Sequence, residues 1–403
     1  MFDELLKQTG IPADGAEKSV STCPGKIFFL QRDFLEKYWT MAALPPDKLE
    51  MTAAFAAELE KMPDVRILAW HLYRYCLFTP IEEFRFQDFP EPLLDLGEQN
   101  TGLFYLLVCM SLLPVYRERA EREGFPVRYA EMAAERLGTS VCFHEQAHHG
   151  LFGLRPAQMI FMLHYRETAT YRIGRFDFVI RTGLGQLPEI YRKNGEIVAF
   201  CNDNTPLAAD GDVANEDNPA VRTARLVKDG TCVCGTPIDG ITGKALADEI
   251  TVDLADGWET IHQQEDWTLF FHIPGGGGMT PEKCEASFRE AFAFFREFCP
   301  EKHFRVVWSS SWIFNPAWTE YLPESNLSKL IRCGELFPNI YHGQPGLHFV
   351  FGRECASPDD YTAKNSMERA MLQCWRDKGK LRSCGWFMLM DHFAEKSMFD
   401  AKK

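Results

Sequence analysis

Apolar residues recur at helical spacing through the first 170 residues of the chain. In segments 47–62 (DKLEMTAAFAAELEKM) and 64–78 (DVRILAWHLYRYCLF) they lie three or four positions apart, the period of one face of an α-helix. Residues 101–114 (TGLFYLLVCMSLLP) are almost continuously apolar, which is typical of a helix inside a core. Because Pro and Gly separate these segments, the pattern predicts a packed helical bundle.

The pattern changes near residue 170, where short strand-like stretches begin. Residues 171–180, 188–200 and 220–227 read as strands. Asn194 and Gly195 interrupt the second stretch and predict a tight hairpin turn. Residues 202–218 are rich in Asp, Asn, Gly and Pro, so we expect a surface loop there.

The most regular pattern lies between residues 267 and 312. Residues 267–273 (WTLFFHI) form an apolar run that predicts a buried strand. After four glycines, Thr280 is a good helix N-cap, Pro281 suits the first helical position, and Glu282 suits the positive end of the helix dipole. Residues 304–312 (FRVVWSSSW) read as the next strand, so the helix predicts a crossover between two parallel strands. The residues expected on the buried face of this helix, which stops at Pro300, are Cys284, Phe288, Ala291, Phe292, Phe295 and Phe298.

The glycine run of residues 275–278 has two interpretations. It is either a flexible turn or a loop of bare backbone amides that holds a phosphate beside a helix N-terminus. A dinucleotide-binding fingerprint would need another glycine at Thr280 and an acidic residue after the next strand. A P-loop would end in Gly-Lys-Ser/Thr, which Met279, Thr280 and Pro281 do not supply. Any phosphate bound here therefore belongs to another ligand class.

Composition narrows the classes of function. The chain has 403 residues, which indicates two or three domains. Its formal net charge of -14 argues against a nucleic-acid surface, which would be basic. The amino-terminal residues show no secretory signal, and the longest apolar run is too short to span a bilayer. Thirteen cysteines scattered along the chain indicate reduced thiols rather than a disulfide framework. We expect a cytoplasmic protein that binds neither membrane nor nucleic acid.

Two motifs in the carboxyl-terminal half resemble the GNAT acyltransferase superfamily. That superfamily places the pyrophosphate of acyl-coenzyme A on a turn of pattern Arg/Gln-x-x-Gly-x-Gly/Ala, and His272, Gly275 and Gly277 stand in this spacing, with histidine at the first position. The superfamily also shows asparagine, alanine and a later tyrosine after the next strand. Asn315, Ala317 and Tyr321 match these positions, with the asparagine one residue closer than usual.

Nearly the whole chain resembles bacterial two-domain acyltransferases that join a helical domain to a GNAT-like domain. The segments that carry this resemblance are YRIGRFDFVI, FFHIPGGGGMTPEKCEASFREAFAFF, SSSWIFNPAWTEYLPESNLSKL and LHFVFG. The resemblance implies an α+β protein with a helical N-terminal domain followed by a GNAT-like mixed β-sheet flanked by helices. The expected domains are residues 1–170, which shape the acceptor pocket or cover the cleft, and residues 171–403, the acyltransferase domain.

The resemblance also implies a reaction and a site. Acyl-CoA is the expected co-substrate, and no metal is expected. The motifs do not fix the acceptor, which we expect to be a small-molecule or peptide amine. The residues expected to hold the coenzyme are Gly275, Gly276, Gly277, Gly278, Met279 and Thr280.

Tyr321 is the expected acid that protonates the departing thiolate. His272 and Glu320 are the named candidates for the base. The plainer alternatives are a tyrosine that only packs, a histidine that only orders the glycine turn, and a solvated glutamate.

A competing motif lies in the helical half. His144, Glu145 and His148 stand in the His-Glu-x-x-His spacing of zinc hydrolases. However, Gly150 follows almost at once and no third ligand is evident from the sequence. A zinc metallohydrolase is therefore the weaker alternative, and a non-catalytic module that binds or senses acyl-CoA is the other one.

Overall fold

The computed structural model describes residues 2–86, 89–166, 170–183, 185–393 and 397–399. Helices predominate up to residue 164, and strands begin at residue 170. The α-helices are α1 (Phe2–Thr9), α2 (Ala16–Thr22), α3 (Arg32–Trp39), α4 (Leu49–Leu59), α5 (Pro63–Phe78), α6 (Gly97–Met110), α7 (Leu113–Glu123), α8 (Arg128–Ala134), α9 (Arg136–Ala147), α10 (Pro156–His164), α11 (Pro281–Phe298), α12 (Trp318–Tyr321), α13 (Asn326–Arg332), α14 (Leu347–Phe351) and α15 (Ser366–Lys378).

The strands form one large mixed sheet and several small antiparallel ones. They are β1 (Thr170–Ile173), β2 (Phe176–Thr182), β3 (Glu189–Lys193), β4 (Glu196–Phe200), β5 (Pro206–Leu207), β6 (Arg222–Thr223), β7 (Leu226–Asp229), β8 (Cys232–Gly235), β9 (Ile238–Asp239), β10 (Lys244–Ala245), β11 (Ile250–Asp253), β12 (Glu259–His262), β13 (Trp267–His272), β14 (Val306–Ser311), β15 (Glu335–Pro338) and β16 (Cys384–Leu389). The predicted class, a helical N-terminal region followed by a mixed sheet with flanking helices, is confirmed.

The chain divides into two compact units. Unit 1 contains residues 1–177 together with residues 274–276, and unit 2 contains residues 178–273 and 277–403. Three residues at the start of the glycine region thus belong to the helical unit. The predicted domain boundary at residues 170 and 171 stays a prediction.

Helix α6 is the centre of unit 1. Every residue from Thr101 to Met110 is buried, and α4, α5, α9 and α10 contact this helix. A helix that is apolar on all sides gains most free energy when neighbours surround it. The prediction of a core helix over residues 101–114 is confirmed up to Met110. The next helix, α7, begins at Leu113, with Pro114 in its first turn.

In unit 2 the large sheet runs in the order β2, β13, β14, β16, β15. Strands β13 and β14 are parallel, as predicted, and β16 is antiparallel to both β14 and β15. The predicted hairpin turn is also confirmed, because β3 and β4 pair around Asn194 and Gly195, which both have positive φ angles.

Aromatic residues cover both faces of this sheet. On one face, Phe288 of α11 contacts Phe178, Phe271 and Trp386 at ring-centroid distances of 5.2 to 6.2 Å. On the other face, strands of the small sheet β12-β3-β4 pack on the large sheet. The buried residues of this second core are Leu187, Ile190, Ala199, Ile261, Val306, Trp308, Phe337, Phe387 and Leu389.

The prediction of a surface loop over residues 202–218 is partly wrong. Leu207, Ala208, Asp212 and Val213 are buried, and β5 lies within the segment. A composition rich in turn residues cannot reveal that distant side chains cover the segment.

Replacing Phe288 tests the packing of α11 on the sheet. The side chain is fully buried, so Phe288→Ala should lower the free energy of unfolding by about 3–5 kcal/mol. Ile241→Ala is a suitable control, because Ile241 is 81% exposed and should change stability by less than about 0.5 kcal/mol. Chemical denaturation followed by fluorescence measures both variants. Equal effects would contradict the packing described here.

Candidate active site

Both predicted motifs follow the carboxyl ends of the parallel strands β13 and β14. The glycine run follows β13, and the segment that leads to Tyr321 follows β14. Because β13 and β14 are parallel, with Leu269 opposite Val307 and Phe270 opposite Trp308, both strands end at the same edge. In open parallel α/β sheets, ligands bind outside the carboxyl ends of the strands, and the parallel pair of this mixed sheet ends at this edge.

Helix α11 begins at this edge with a well-formed N-terminus. The Thr280 hydroxyl accepts a hydrogen bond from the backbone N–H of Lys283, and Pro281 occupies the first turn, as predicted. Backbone hydrogen bonding at the helix start lowers the pKa of Glu282. The end of the helix therefore stabilises negative charge, which is the property that an anion site requires.

The glycine run has a defined backbone conformation. Gly276, Gly277 and Gly278 have φ angles of 74°, 71° and 67°, which residues with a Cβ atom adopt at a cost of about 1–2 kcal/mol each. All three are exposed, and a Cβ atom on Gly276 or Gly278 would meet no atom within 4 Å. The backbone conformation, rather than crowding, is what requires glycine at these two positions.

Lys283 is a residue of this site that the sequence analysis did not identify. Its ammonium group donates a hydrogen bond to the carbonyl oxygen of Gly277 at 2.9 Å. A cation in the first turn of a helix is electrostatically unfavourable, unless a nearby acceptor or anion offsets it. A lysine three residues after an N-cap threonine that follows a glycine run is the sequence signal that could have revealed it.

The three predicted catalytic residues occupy two places. His272 is the last residue of β13, directly before the turn, and is half-buried. Glu320 and Tyr321 lie together in α12, which contacts α15. The carboxylate of Glu320 is 3.1 Å from the ammonium group of Lys378 and is largely exposed. The roles of all three residues stay predictions.

Tyr321 makes a specific hydrogen bond. Its hydroxyl donates to a carboxylate oxygen of Asp377 at 2.9 Å. Desolvation and this hydrogen bond raise the pKa of Tyr321 to about 12, so the phenol stays protonated near neutral pH. Asn315, the other residue of its motif, is buried and accepts a hydrogen bond from the backbone N–H of Ala317 at 3.1 Å. The asparagine therefore shapes the turn that leads into α12.

A buried ionic cluster lies at the same edge, and the sequence analysis missed it. Asp212 is only 1% exposed and accepts hydrogen bonds from Arg382, from Lys380 at 3.2 Å and from the hydroxyl of Tyr341 at 3.4 Å. Asp210 binds Lys380 at 2.9 Å as well. Burial, followed by the charge of Asp212, raises the pKa of Tyr341.

Strand pairing explains why this cluster is at the edge. Lys380 and Arg382 directly precede β16, whose first residue, Cys384, lies opposite both Ser311 of β14 and Pro338 of β15. The amino end of β16 therefore lies beside the carboxyl ends of its neighbours. The local sequence contains no signal for an ion pair between side chains 170 positions apart.

In unit 1 the His-Glu-x-x-His motif lacks a third metal ligand among the described residues. Helix α9 ends at Ala147, and the rings of His144 and His148 stack with centroids 4.3 Å apart. A Cβ atom on Gly102 would lie 2.6 Å from Nε2 of His144, so this ring packs on the backbone of α6. No group of three or more His, Cys, Asp or Glu side chains among the described residues is arranged to hold a metal ion. The geometry thus gives no support to the metallohydrolase alternative.

Two further sequence expectations concern the cysteines and membrane-spanning helices. All thirteen cysteines are free thiols. In the described ranges, no helix combines the length and the apolar character that a membrane crossing requires.

Comparison with known proteins supplies a family and a fold. Residues 170–387, more than half of the chain, match the family model of the GNAT-like C-terminal domain. No curated protein matches the chain significantly.

Similar solved structures cover almost the full length. A crystal structure of an acyltransferase in complex with decanoyl-CoA and teicoplanin has a TM-score of 0.59 and 19% sequence identity, over 96% of this chain and 99% of that chain. An acyltransferase in complex with CoA and 10C-teicoplanin has a TM-score of 0.59 and 18% identity over the same shares. An acyltransferase in complex with decanoyl-CoA has a TM-score of 0.57 and 16% identity, over 96% and 98%. At these identities the likeness shows a shared fold.

Acid titration tests the burial of His144. Burial, with the nearby His148 and Arg155, lowers the pKa of His144 from 6.5 to about 4. The unfolded chain therefore takes up a proton between about pH 6.5 and pH 4 that the folded chain does not. As the pH falls through that window, this group should reduce the free energy of unfolding by up to about 1.4 kcal/mol per pH unit. Above about pH 6.5 it should have no effect. In His144→Leu this part of the pH dependence should disappear from denaturation curves. An unchanged slope would contradict a neutral, buried His144.

Proposed function

Because the chain belongs to the family of proteins with a GNAT-like C-terminal domain, we propose that it transfers an acyl group from coenzyme A to an amine. The observation that carries the proposal is the position of the glycine run. The run, in which Gly276, Gly277 and Gly278 have left-handed backbone, lies between the end of a parallel strand and the N-terminus of α11. Backbone amides and a helix N-terminus together suit a diphosphate.

The proposed coenzyme site consists of residues 275–280. Gly276, Gly277 and Gly278 are exposed and carry no side chain of their own, and the start of α11 adds the positive end of its dipole. Lys283 lies close enough to hold the carbonyl of Gly277 and would exchange that hydrogen bond for a phosphate oxygen when the coenzyme binds. Neutralising an anion in this way offsets the unfavourable position of a lysine in the first turn of a helix.

The proposed reaction is a direct transfer. The neutral amine attacks the thioester carbonyl, the carbon–sulfur bond breaks, and the coenzyme leaves as a thiolate. A base takes the proton from the amine, and an acid protonates the thiolate. We assign the acid to Tyr321 and the base to His272 or Glu320, of which His272 is the better placed, because it ends β13 directly before the glycine run.

The protonation state of Tyr321 suits an acid, provided that its hydroxyl can leave its hydrogen-bond partner. Its raised pKa keeps the proton on the phenol, which an acid needs before the thiolate forms. However, its hydroxyl donates to Asp377, so that hydrogen bond must be exchanged for one to sulfur during the reaction. Asp377 would orient the tyrosine in the resting state.

The solved acyltransferases support the class of substrates. Two of their complexes contain decanoyl-CoA, one of them together with teicoplanin, and another contains CoA and 10C-teicoplanin. We propose a medium-length acyl chain as donor and an amino group on a small molecule or peptide as acceptor. With acyl-CoA as co-substrate, the reaction draws on no metal ion.

Replacing Gly278 tests the coenzyme site. Gly278→Val introduces a branched side chain at a φ angle of 67° and covers the neighbouring amides, so the dissociation constant for coenzyme A should rise by at least about tenfold. Gly230→Val is the matched control, because Gly230 also has a positive φ and no atom within 4 Å of a Cβ, but lies in the β7–β8 hairpin. Isothermal titration calorimetry measures both. Equal affinities in the two variants would place the diphosphate elsewhere.

Replacing Tyr321 separates an enzyme from a binding module. Tyr321→Phe removes the hydroxyl and keeps the ring, so turnover of acyl-CoA with amines should fall by about 100-fold, while the affinity for coenzyme A stays the same. Free thiol release measures turnover, and calorimetry measures binding. Unchanged turnover would show that Tyr321 only packs against α15. Coenzyme binding without any turnover in the unmodified protein would favour the sensing module.

A further inference from the structure

We infer that Phe143, in the helical unit, is a positioning residue for coenzyme binding, because its ring fixes the first part of the glycine run. The inference rests on the proposed function and adds a residue to it. Phe143 lies on α9, more than 130 positions before the glycines, and belongs to the same unit as Pro274, Gly275 and Gly276.

The first observation is that the ring of Phe143 lies very close to the backbone of Gly275. A Cβ atom on Gly275 would lie 2.4 Å from Cζ of Phe143 and 2.8 Å from Cε2, distances that real Cβ atoms do not reach. Gly275 does not have the left-handed φ of the three glycines that follow it. The phenyl ring, rather than the backbone conformation, is therefore what disfavours a Cβ atom at position 275, because the ring would have to shift.

A second contact holds Pro274, the residue directly before Gly275. The guanidinium group of Arg175 donates a hydrogen bond to the carbonyl oxygen of Pro274 at 2.8 Å. From the other side, Lys283 holds the carbonyl of Gly277. Phe143 and Arg175 thus hold the start of the run, whereas Lys283 holds the carbonyl of Gly277 only until it moves to a phosphate oxygen of the coenzyme.

These contacts matter because four successive glycines are otherwise the most flexible segment that a chain can contain. Glycine loses more backbone entropy on ordering than any other residue. If the ligand had to order the run by itself, that loss would reduce its affinity. A run that is held in place before binding presents its amides without that cost. Phe143 therefore tunes affinity without touching the ligand.

A double-mutant cycle tests the inference. The variants are Phe143→Ala, Gly275→Ala and the double variant, and calorimetry gives the dissociation constant for coenzyme A. We expect about fivefold weaker binding for Phe143→Ala, from the lost ordering, and at least tenfold for Gly275→Ala, from the clash. In the double variant the new methyl group occupies space that the ring has left, so binding should be tighter than in Gly275→Ala alone. Unchanged affinity in Phe143→Ala, or effects that simply multiply, would overturn the inference.

Two further measurements separate this inference from a loss of folding and from failure of the proposed function. Phe34→Ala removes another half-buried ring of unit 1, which packs on Tyr38, and should lower thermal stability while leaving coenzyme affinity unchanged. Hydrogen exchange of amides 275–280 in the ligand-free protein should be faster in Phe143→Ala than in the unmodified protein. If the unmodified protein bound no coenzyme A, the proposed function would fail. The exchange rates would still show whether the ring orders the run, and equal rates would contradict it.

Discussion

The parallel pairing of β13 with β14 is the constraint on which the rest of unit 2 depends. Parallel neighbours cannot be joined by a tight turn, so the chain must leave the sheet and return along one face of it. Helix α11 makes this crossover, and its phenylalanines bury one face of the sheet. The same crossover fixes the place of the glycine run, which joins the end of β13 to the start of α11. A helix N-terminus and bare backbone therefore meet at the carboxyl edge.

Charge at this edge is a local property rather than a global one. The chain carries a formal net charge of -14, yet exposed charges act over only about 8–10 Å at physiological salt. At the glycine run, the start of α11 and the ammonium group of Lys283 supply positive charge beside the carboxylate of Glu282. Farther along the edge, Asp212 is buried but accepts from Arg382 and Lys380. Such a carboxylate is tolerated because its partners accompany it out of water. The acidity of the whole chain therefore does not conflict with an anionic ligand.

The four glycines serve two different physical requirements. Gly276 and Gly278 have left-handed backbone in open space, whereas Gly275 lies against the ring of Phe143. The sequence shows four identical letters and cannot separate these reasons. A substitution at one position strains the backbone, and a substitution at the other displaces an aromatic ring of a distant helix. The distinction decides which variants test the coenzyme site and which test its support.

Local sequence determined the elements and the motifs. The cap at Thr280, most of the apolar face of α11, the parallel crossover and the turn at Asn194 and Gly195 were predictable, because each signal depends on residues a few positions apart. The class of fold followed from these and from the family motifs. Only the tertiary structure decided that Asp212 is buried with Arg382, that the Tyr321 hydroxyl donates to Asp377, and that Phe143 supports Gly275. These contacts join residues far apart in the chain, and their energies depend on a spatial arrangement that no local pattern contains.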